Sequence, residues 1–439
     1  MTLIKNVHII DPMNNLDGLG EVLIQDSLIK EVKLGGTIEA SDVDIIDGQG
    51  KWLVPGLIDL HVHFREPGLE WKETIATGSR AAIMGGYTTV CCMPNTNPVN
   101  DSAEITQFIL DKAARANLAK VLPIGAVSLS SKGKELAPLS EMHKAGCVAF
   151  SDDGEPIYDS GMMRRALEWC LMLDATISCH EEDKCLSCKG CMNESALSAR
   201  LGLRGMPTIA EDVMVARDIE LARFTGGKVH ICHISSARGV ELVRRAKQDG
   251  FRVTCEVTPH HLVLSENEVS GYDANFKMSP PLRGAEDIAG LIEGIKDGTI
   301  DAIASDHAPH EKDSKLVEFE EASMGILGLQ TSLPLLLDFV KRGEISRKRF
   351  VELVSTGPAR CFGLAQGSLS VGSPADMVLI DPDYEWEFNV HKNVSKSINS
   401  PFLGTTLTGI ADTVLVDGCV KVLNRELVEQ NKLNNVVGM

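Results

Sequence analysis

Between residues 56 and 363, short apolar runs alternate with helix-length amphipathic stretches, and no other feature of the chain constrains its fold as strongly. The runs begin near Gly56, Tyr87, Val121, Cys147, Thr176, Val229, Val253 and Ala302. Between them lie stretches such as Lys72–Met84, Ala103–Ala116, Ile209–Thr225, Ala237–Asp249 and Asp287–Lys296. Strands that alternate with helices pair in parallel, because each crossover needs a helix to bring the chain back. Eight such units in about 300 residues predict an α/β fold, a closed (β/α)8 or TIM barrel. The flanks read differently. Residues 1–55 carry short alternating pieces at Leu3–Ile10, Gly20–Ile24, Leu28–Val32 and Asp44–Ile46. Residues 364–439 carry Gly367–Leu369, Ala375–Ile380 and Asp412–Val416. Neither end is large enough to hold a core alone. The two are expected to pair into one small β-sandwich domain beside a barrel of residues 56–363, and the last dozen residues to fray.

The net charge of −18 speaks against nucleic acid or an anionic membrane as partner, since both require a basic surface. It also means that an anionic substrate must be held by local positive groups. No stretch is long and apolar enough to span a membrane, and Met1–Lys5 lacks the start of an export signal, so the expected location is cytoplasmic. In that setting twelve cysteines are expected to be thiols, mostly small buried hydrophobes. Cys185, Cys188 and Cys191 stand apart at a spacing that suits zinc or an iron–sulfur cluster, but no fourth ligand is evident. The plain reading is a cysteine-rich surface loop.

Where the chemistry lies follows from where the histidines fall. Residues two apart on a strand share a face, so His61 and His63 can hold one metal ion with Arg65 next along. A metal beside a fixed guanidinium suits hydrolysis of a substrate that carries a carboxylate. His61, His63, His180, His230, His233, His260, His261, His307 and His310 all follow predicted strands, at the end where barrels carry their sites. Acidic groups join them in Ser151-Asp152-Asp153-Gly154 and Ala304-Ser305-Asp306-His307. Four histidines and two aspartates suffice for a binuclear site with room for water. On a regular strand His230 and His233 face opposite ways, so at most one points inward. Asp152 and Asp153 are likewise alternatives that alternation cannot separate.

Several long motifs now stand in order: Asp59-Leu60-His61-Val62-His63-Phe64-Arg65-Glu66-Pro67-Gly68, Met93-Pro94-Asn95-Thr96, Ala149-Phe150-Ser151-Asp152-Asp153-Gly154 and His180-Glu181-Glu182-Asp183. His230-Ile231-Cys232-His233-Ile234-Ser235, Thr258-Pro259-His260-His261, Pro280-Pro281-Leu282-Arg283, Ser305-Asp306-His307-Ala308-Pro309-His310 and Gly372-Ser373-Pro374-Ala375-Asp376 follow. Through these motifs nearly the whole chain resembles the dihydroorotases of the amidohydrolase superfamily. The resemblance implies zinc, one or two ions per subunit, with His61, His63 and Asp306 on one ion and His180 and His233 on the other. Many relatives bridge the ions with a carbamylated lysine. This chain matches the branch in which the second aspartate of Ser-Asp-Asp-Gly does so, which gives the bridge to Asp153.

The resemblance further implies a substrate carboxylate held by Arg65, Asn95 and His310, with Ser279 near the ring, and Asp306 as the base that moves the proton. The reaction would be reversible closure of N-carbamoyl-L-aspartate to L-dihydroorotate in de novo pyrimidine synthesis. Relatives are commonly homodimers, and some associate with aspartate transcarbamoylase. Two positions depart from the family, Ser279 where asparagine is common and Gln330 where glutamate is common. Two rivals keep the fold. Allantoinases and hydantoinase-like enzymes act on rings without that carboxylate, and allantoinases tend to have asparagine at the position of Arg65. Inactive scaffolding homologues typically lose metal ligands, and here all six candidates are present. The charged run Glu311–Lys315 is a candidate loop to close over substrate.

Overall fold

The computed structural model describes residues 1–428. The expectation for the last dozen residues falls outside them, Val428 apart. Eight parallel strands form one sheet in unbroken chain order. They are β1 (Leu57–Val62), β2 (Tyr87–Cys92), β3 (Lys120–Gly125), β4 (Ala149–Phe150), β5 (Thr176–Cys179), β6 (Lys228–Ile231), β7 (Val253–Val257) and β8 (Ala302–Ile303). Each starts within two residues of an apolar run predicted from sequence. The ends of the sheet are drawn together, because Val62 bridges His307 just past β8 and the His63 N–H donates to the His307 carbonyl at 2.9 Å. Deeper in the seam, the Asp59 carboxylate accepts the N–H groups of His61 at 3.0 Å and Ser305 at 3.1 Å.

The two-residue alternation of strand side chains builds two cores. Val90, Val121, Phe150, Ile177, Val229, Ile231 and Val253 pack outward against the helices. Ile58, Leu60, Cys91, Met93, Ile124, Ala149, Cys232 and Ala302 fill the barrel, and Ala359, Cys361 and Phe362 pack with them. Burial of each large apolar side chain contributes about 1.5–3 kcal/mol before entropy is counted. Helices Ala103–Ala116 and Ile209–Thr225 run as predicted. Helix Ile75–Met84 begins three residues later than its pattern suggested. Thr74 is its cap, accepting from the Thr77 N–H at 3.1 Å, while the Glu73 carboxylate accepts from the Thr77 and Ser395 hydroxyls.

The chain's two ends build the expected β unit together. Nine strands share one sheet, in which the antiparallel pairing of Met377–Ile380 with Trp52–Pro55 joins the carboxyl-terminal half to the amino-terminal half. Ile4, Val7, Ile9, Val22, Ile24, Leu53, Leu369, Met377, Leu379 and Leu415 form its core, so both ends supply it. Gly367–Leu369 is not a strand. Its Leu369 N–H donates instead to the buried Asp11 carboxylate at 2.7 Å, and the leucine side chain fills the core. Among the described residues no helix is long and apolar enough to cross a membrane.

Candidate metal centre and substrate cavity

Strands β4 and β8 are only two residues long, and each passes at once into a loop that turns aspartate toward the barrel axis. Asp153 follows β4, and Asp306, with φ +43°, follows β8. The Asp153 carboxylate lies 3.5–3.6 Å from ring nitrogens of His61, His63, His180 and His233. Asp306 Oδ1 lies 3.1 Å from His63 Nε2 and 3.6 Å from His61 Nε2. His180 Nδ1 and His233 Nε2 stand 3.1 Å apart. All six predicted ligands therefore meet at one end of the barrel.

Their spacing and chemistry fit metal ions. Ligands 2.0–2.1 Å from a tetrahedral zinc stand roughly 3.3 Å from one another, which is the separation found here. His61 Nε2 and Asp153 Oδ1 are buried with no hydrogen-bond partner. Such atoms are rare unless a ligand or ion completes them. Three of the four far ring nitrogens are engaged: His61 Nδ1 with Glu256 at 3.0 Å, His63 Nδ1 with Asn95 at 2.9 Å, and His180 Nε2 with Glu182 at 3.3 Å, while His233 Nδ1 has no partner. Partners of this kind fix a ring's tautomer and aim its other nitrogen. Burial pushes the Asp153 carboxyl up, but His61, His180 and His233 outweigh it and hold it well below the usual carboxylate range. Asp306 is likewise lowered by His61, His63 and His233 against the effect of burial. Cys232 lies close to His61 and Asp153, but burial pushes its thiol up to about 12, so it stays protonated.

The two open choices separate on geometry. Asp152 accepts from the N–H groups of Val127 and Ser128 and from the Ser128 hydroxyl, so it ties the β3 and β4 loops. Asp153 alone faces the histidines. For the other pair, the expectation that only one side chain points inward fails. His230 contacts the Thr254 hydroxyl through Nδ1 and donates through Nε2 to the Glu256 carboxylate inside the barrel, and His233 reaches Asp153. The strand ends at Ile231, and His233 sits in a turn with φ +30°, so strand alternation does not extend to it.

The ligands open into a cavity of about 530 Å³ that is also lined by Arg65, Asn95, Ser279 and His310. Arg65 has φ +63° and is 9% exposed. Its Nε donates to the Pro309 carbonyl at 3.3 Å, and its Nη2 lies 3.3 Å from His310 Nε2. Burial pushes its pKa down to about 10, so it remains a cation. Gln330 lies away from the cavity and binds the Lys392 carbonyl and the Val394 N–H, so that departure is structural. The loop after His310 is anchored by Lys315, whose buried ammonium donates to the carbonyls of Ala274 and Ser323.

The cysteine cluster does not converge. Cys185 contacts the Tyr158 hydroxyl, Cys188 the Cys185 carbonyl and Cys191 the Arg204 carbonyl. All twelve cysteines are unpaired. Their loop instead supplies Lys184, Ser187, Lys189 and Gly190 to the cavity mouth. Cys179, Glu181 and Asp218 form another close group, but Arg217 already pairs with Asp218 at 2.7 Å. Sequence reasoning missed Glu256, which joins His61 and His230. Its signal was an acid inside the apolar run Val253-Thr254-Cys255-Glu256-Val257.

A family model described as dihydro-orotase-like matches residues 50–239. A dihydroorotase from Geotalea daltonii is 49% identical over 418 residues, covering 95% of this chain and 98% of that one. A dihydroorotase from Anaeromyxobacter sp. (strain K) is 48% identical over 418 residues, covering 94% and 96%. The chain belongs to the dihydroorotase family. The fold is shared more widely: the L-hydantoinase (dihydropyrimidinase) from Arthrobacter aurescens matches with a TM-score of 0.87 at 26% identity, covering 98% of this chain and 97% of its own. The dihydroorotase fold thus sits among enzymes named for cyclic amides, and the cavity must supply what separates their substrates.

Proposed function

We propose that this dihydroorotase catalyses the reversible closure of N-carbamoyl-L-aspartate to L-dihydroorotate with zinc as its metal. The observation that carries the choice of substrate is Arg65. Its contacts are a carbonyl and an imidazole, and among the described residues no carboxylate pairs with it. A buried guanidinium without a counter-charge is costly, so the cavity asks for an anionic ligand. Dihydroorotate carries a ring carboxylate, whereas allantoin and simple hydantoins do not.

In this reading His61, His63 and Asp306 would hold one zinc and His180 and His233 the other, with Asp153 shared between the two. When bound, the metals supply Lewis acidity and make water acidic enough to ionise near neutral pH. Asp306 takes the proton of the attacking water and delivers it to the departing amide nitrogen. Arg65, Asn95 and His310 hold the carboxylate through charge-assisted bonds and so orient the ring, with Ser279 beside it. Asn95 serves twice, since its oxygen already engages His63. The same reading makes the protein a cytoplasmic homodimer of de novo pyrimidine synthesis that can associate with aspartate transcarbamoylase. Its support is the family pattern. It also takes residues 56–363 and the paired ends, 1–55 with 364–439, as the two folding units.

Turnover of L-dihydroorotate, allantoin and hydantoin by the purified protein, measured beside its zinc content, tests the proposal. Preference for dihydroorotate, lost on chelation and regained with zinc, is expected. A preference for an uncharged ring overturns the substrate, and activity that needs no metal overturns the mechanism.

A further inference from the structure

Lys72 touches none of the six ligands, yet it governs what His310 can offer. Its Nζ lies 3.2 Å from His310 Nδ1. An ammonium has hydrogens to give and no lone pair, so in this contact Nδ1 must be the unprotonated nitrogen. The imidazole's one N–H then sits on Nε2, 3.3 Å from Arg65 Nη2, which is also a donor. One neutral imidazole cannot accept from both cations. Arg65 has a second acceptor in the Pro309 carbonyl at 3.3 Å, whereas the acid near Lys72, Glu311, stands 3.7 Å away. The ring does not escape by taking a second proton. Burial, then Arg65, Lys72 and Lys315, push its pKa down to about 2, while a hydrogen bond to the Met324 carbonyl pulls the other way.

Lys72 is itself well held. Its N–H donates to the Leu69 carbonyl at 2.9 Å, its own carbonyl accepts from the Ser397 hydroxyl at 2.6 Å, and its side chain is 17% exposed. We propose that Lys72 is a positioning residue for substrate: by donating to His310 Nδ1 it fixes the Nε2–H tautomer, so that His310 and Arg65 present paired donors to the substrate carboxylate. This rests on the reading that Arg65 and His310 hold that carboxylate. The array is poised for an anion, because a carboxylate oxygen within reach of both N–H groups satisfies two donors that share no acceptor among the described residues.

Steady-state kinetics and nitrogen spectra of the zinc-loaded enzyme test it. Lys72→Met should raise KM for L-dihydroorotate about tenfold, the worth of one charge-assisted bond, with a smaller change in kcat. Lys72→Arg, which keeps a donor and gains no acceptor, should recover most of the loss. In a His310→Ala background Lys72→Met should add little, because partners in one network are not additive. A full further tenfold there would mean that Lys72 acts by its own charge, and the proposal falls. Histidine 15N spectra at equilibrium with substrate should show the His310 proton on Nε2 in the unaltered enzyme, with Nδ1–H growing in Lys72→Met. A proton on Nδ1 in the unaltered enzyme overturns the proposal. An unchanged KM in Arg65→Met would instead sink the carboxylate reading itself, whatever Lys72 does.

Discussion

The terminal sheet and the barrel mouth handle the same two difficulties, left-handed backbone and buried polar groups, in opposite ways. In the sheet unit most left-handed turns carry short polar residues, among them Asn6, Asn15, Asp26, Asp417 and Asn424, which adopt that conformation at little cost, with Gln49 and Arg425 as exceptions. Its buried Asp11 carboxylate is met by the Met13 N–H, the Asn14 amide and the Leu369 N–H. At the mouth the left-handed positions include Arg65 and His233, where a long or ring side chain pays about 1–2 kcal/mol each. There His61 Nε2, His233 Nδ1 and Asp153 Oδ1 are buried without partners. Strain and unmet polarity persist only where surrounding structure enforces them, and they gather where ligands bind. One region is arranged to hold the chain's ends together, the other to hold something that is not protein.

The strongest way to break that contrast is to alter a mouth residue and ask whether the fold notices. Asp306→Asn keeps the size of the side chain but removes the proposed proton carrier. Turnover of dihydroorotate should fall by about 10²–10⁴, while circular dichroism and the thermal midpoint stay near those of the parent. Near-normal turnover would remove Asp306 as the base. A thermal midpoint that collapses even when both proteins are compared without zinc would show that the mouth is structural after all.

How much of this was legible in the sequence follows the same division. All eight barrel strands were read from apolar runs because a strand buried on both faces has few polar residues. Nine histidines and two acidic motifs stood out because each lies at or just past a strand end, and the family resemblance picked the six ligands from among them. Alternation failed for His233, since a turn at positive φ is invisible to a two-residue period. It could not choose Asp153 over Asp152 either, because the deciding hydrogen bonds come from Val127 and Ser128, distant in sequence. Lys72 was read as part of a helix, when in fact Thr74 caps that helix and frees Lys72 for His310. Gly367–Leu369 passed for a strand because one buried leucine between polar neighbours mimics the pattern.

A substitution in the other region should show the reverse signature. Asp11→Ala leaves the Leu369 N–H without its acceptor inside the sheet unit. Unfolding in urea should show a loss of about 3 kcal/mol, while kcat and zinc content per folded molecule hold steady. A matching drop in kcat under native conditions would mean that the sheet unit shapes the cavity, and the contrast drawn above would have to be abandoned.

The smallest effect expected is a difference in acid sensitivity. His310, at the mouth, is faced by Arg65, Lys72 and Lys315, with Glu311 beyond Lys72, and its pKa lies at about 2 against 6.5 for a free imidazole. Between those values the unfolded chain binds a proton that the folded protein refuses. Stability contributed at this position is therefore complete above pH 6.5 and lost as pH falls below it. At pH 5 the loss is at most about 2 kcal/mol relative to pH 8. His310→Asn should flatten the stability profile over that window by this amount, read as urea midpoints of the two proteins with zinc removed from both. If the His310 variant keeps the parent's slope, the mouth tolerates charge better than its cluster of cations implies.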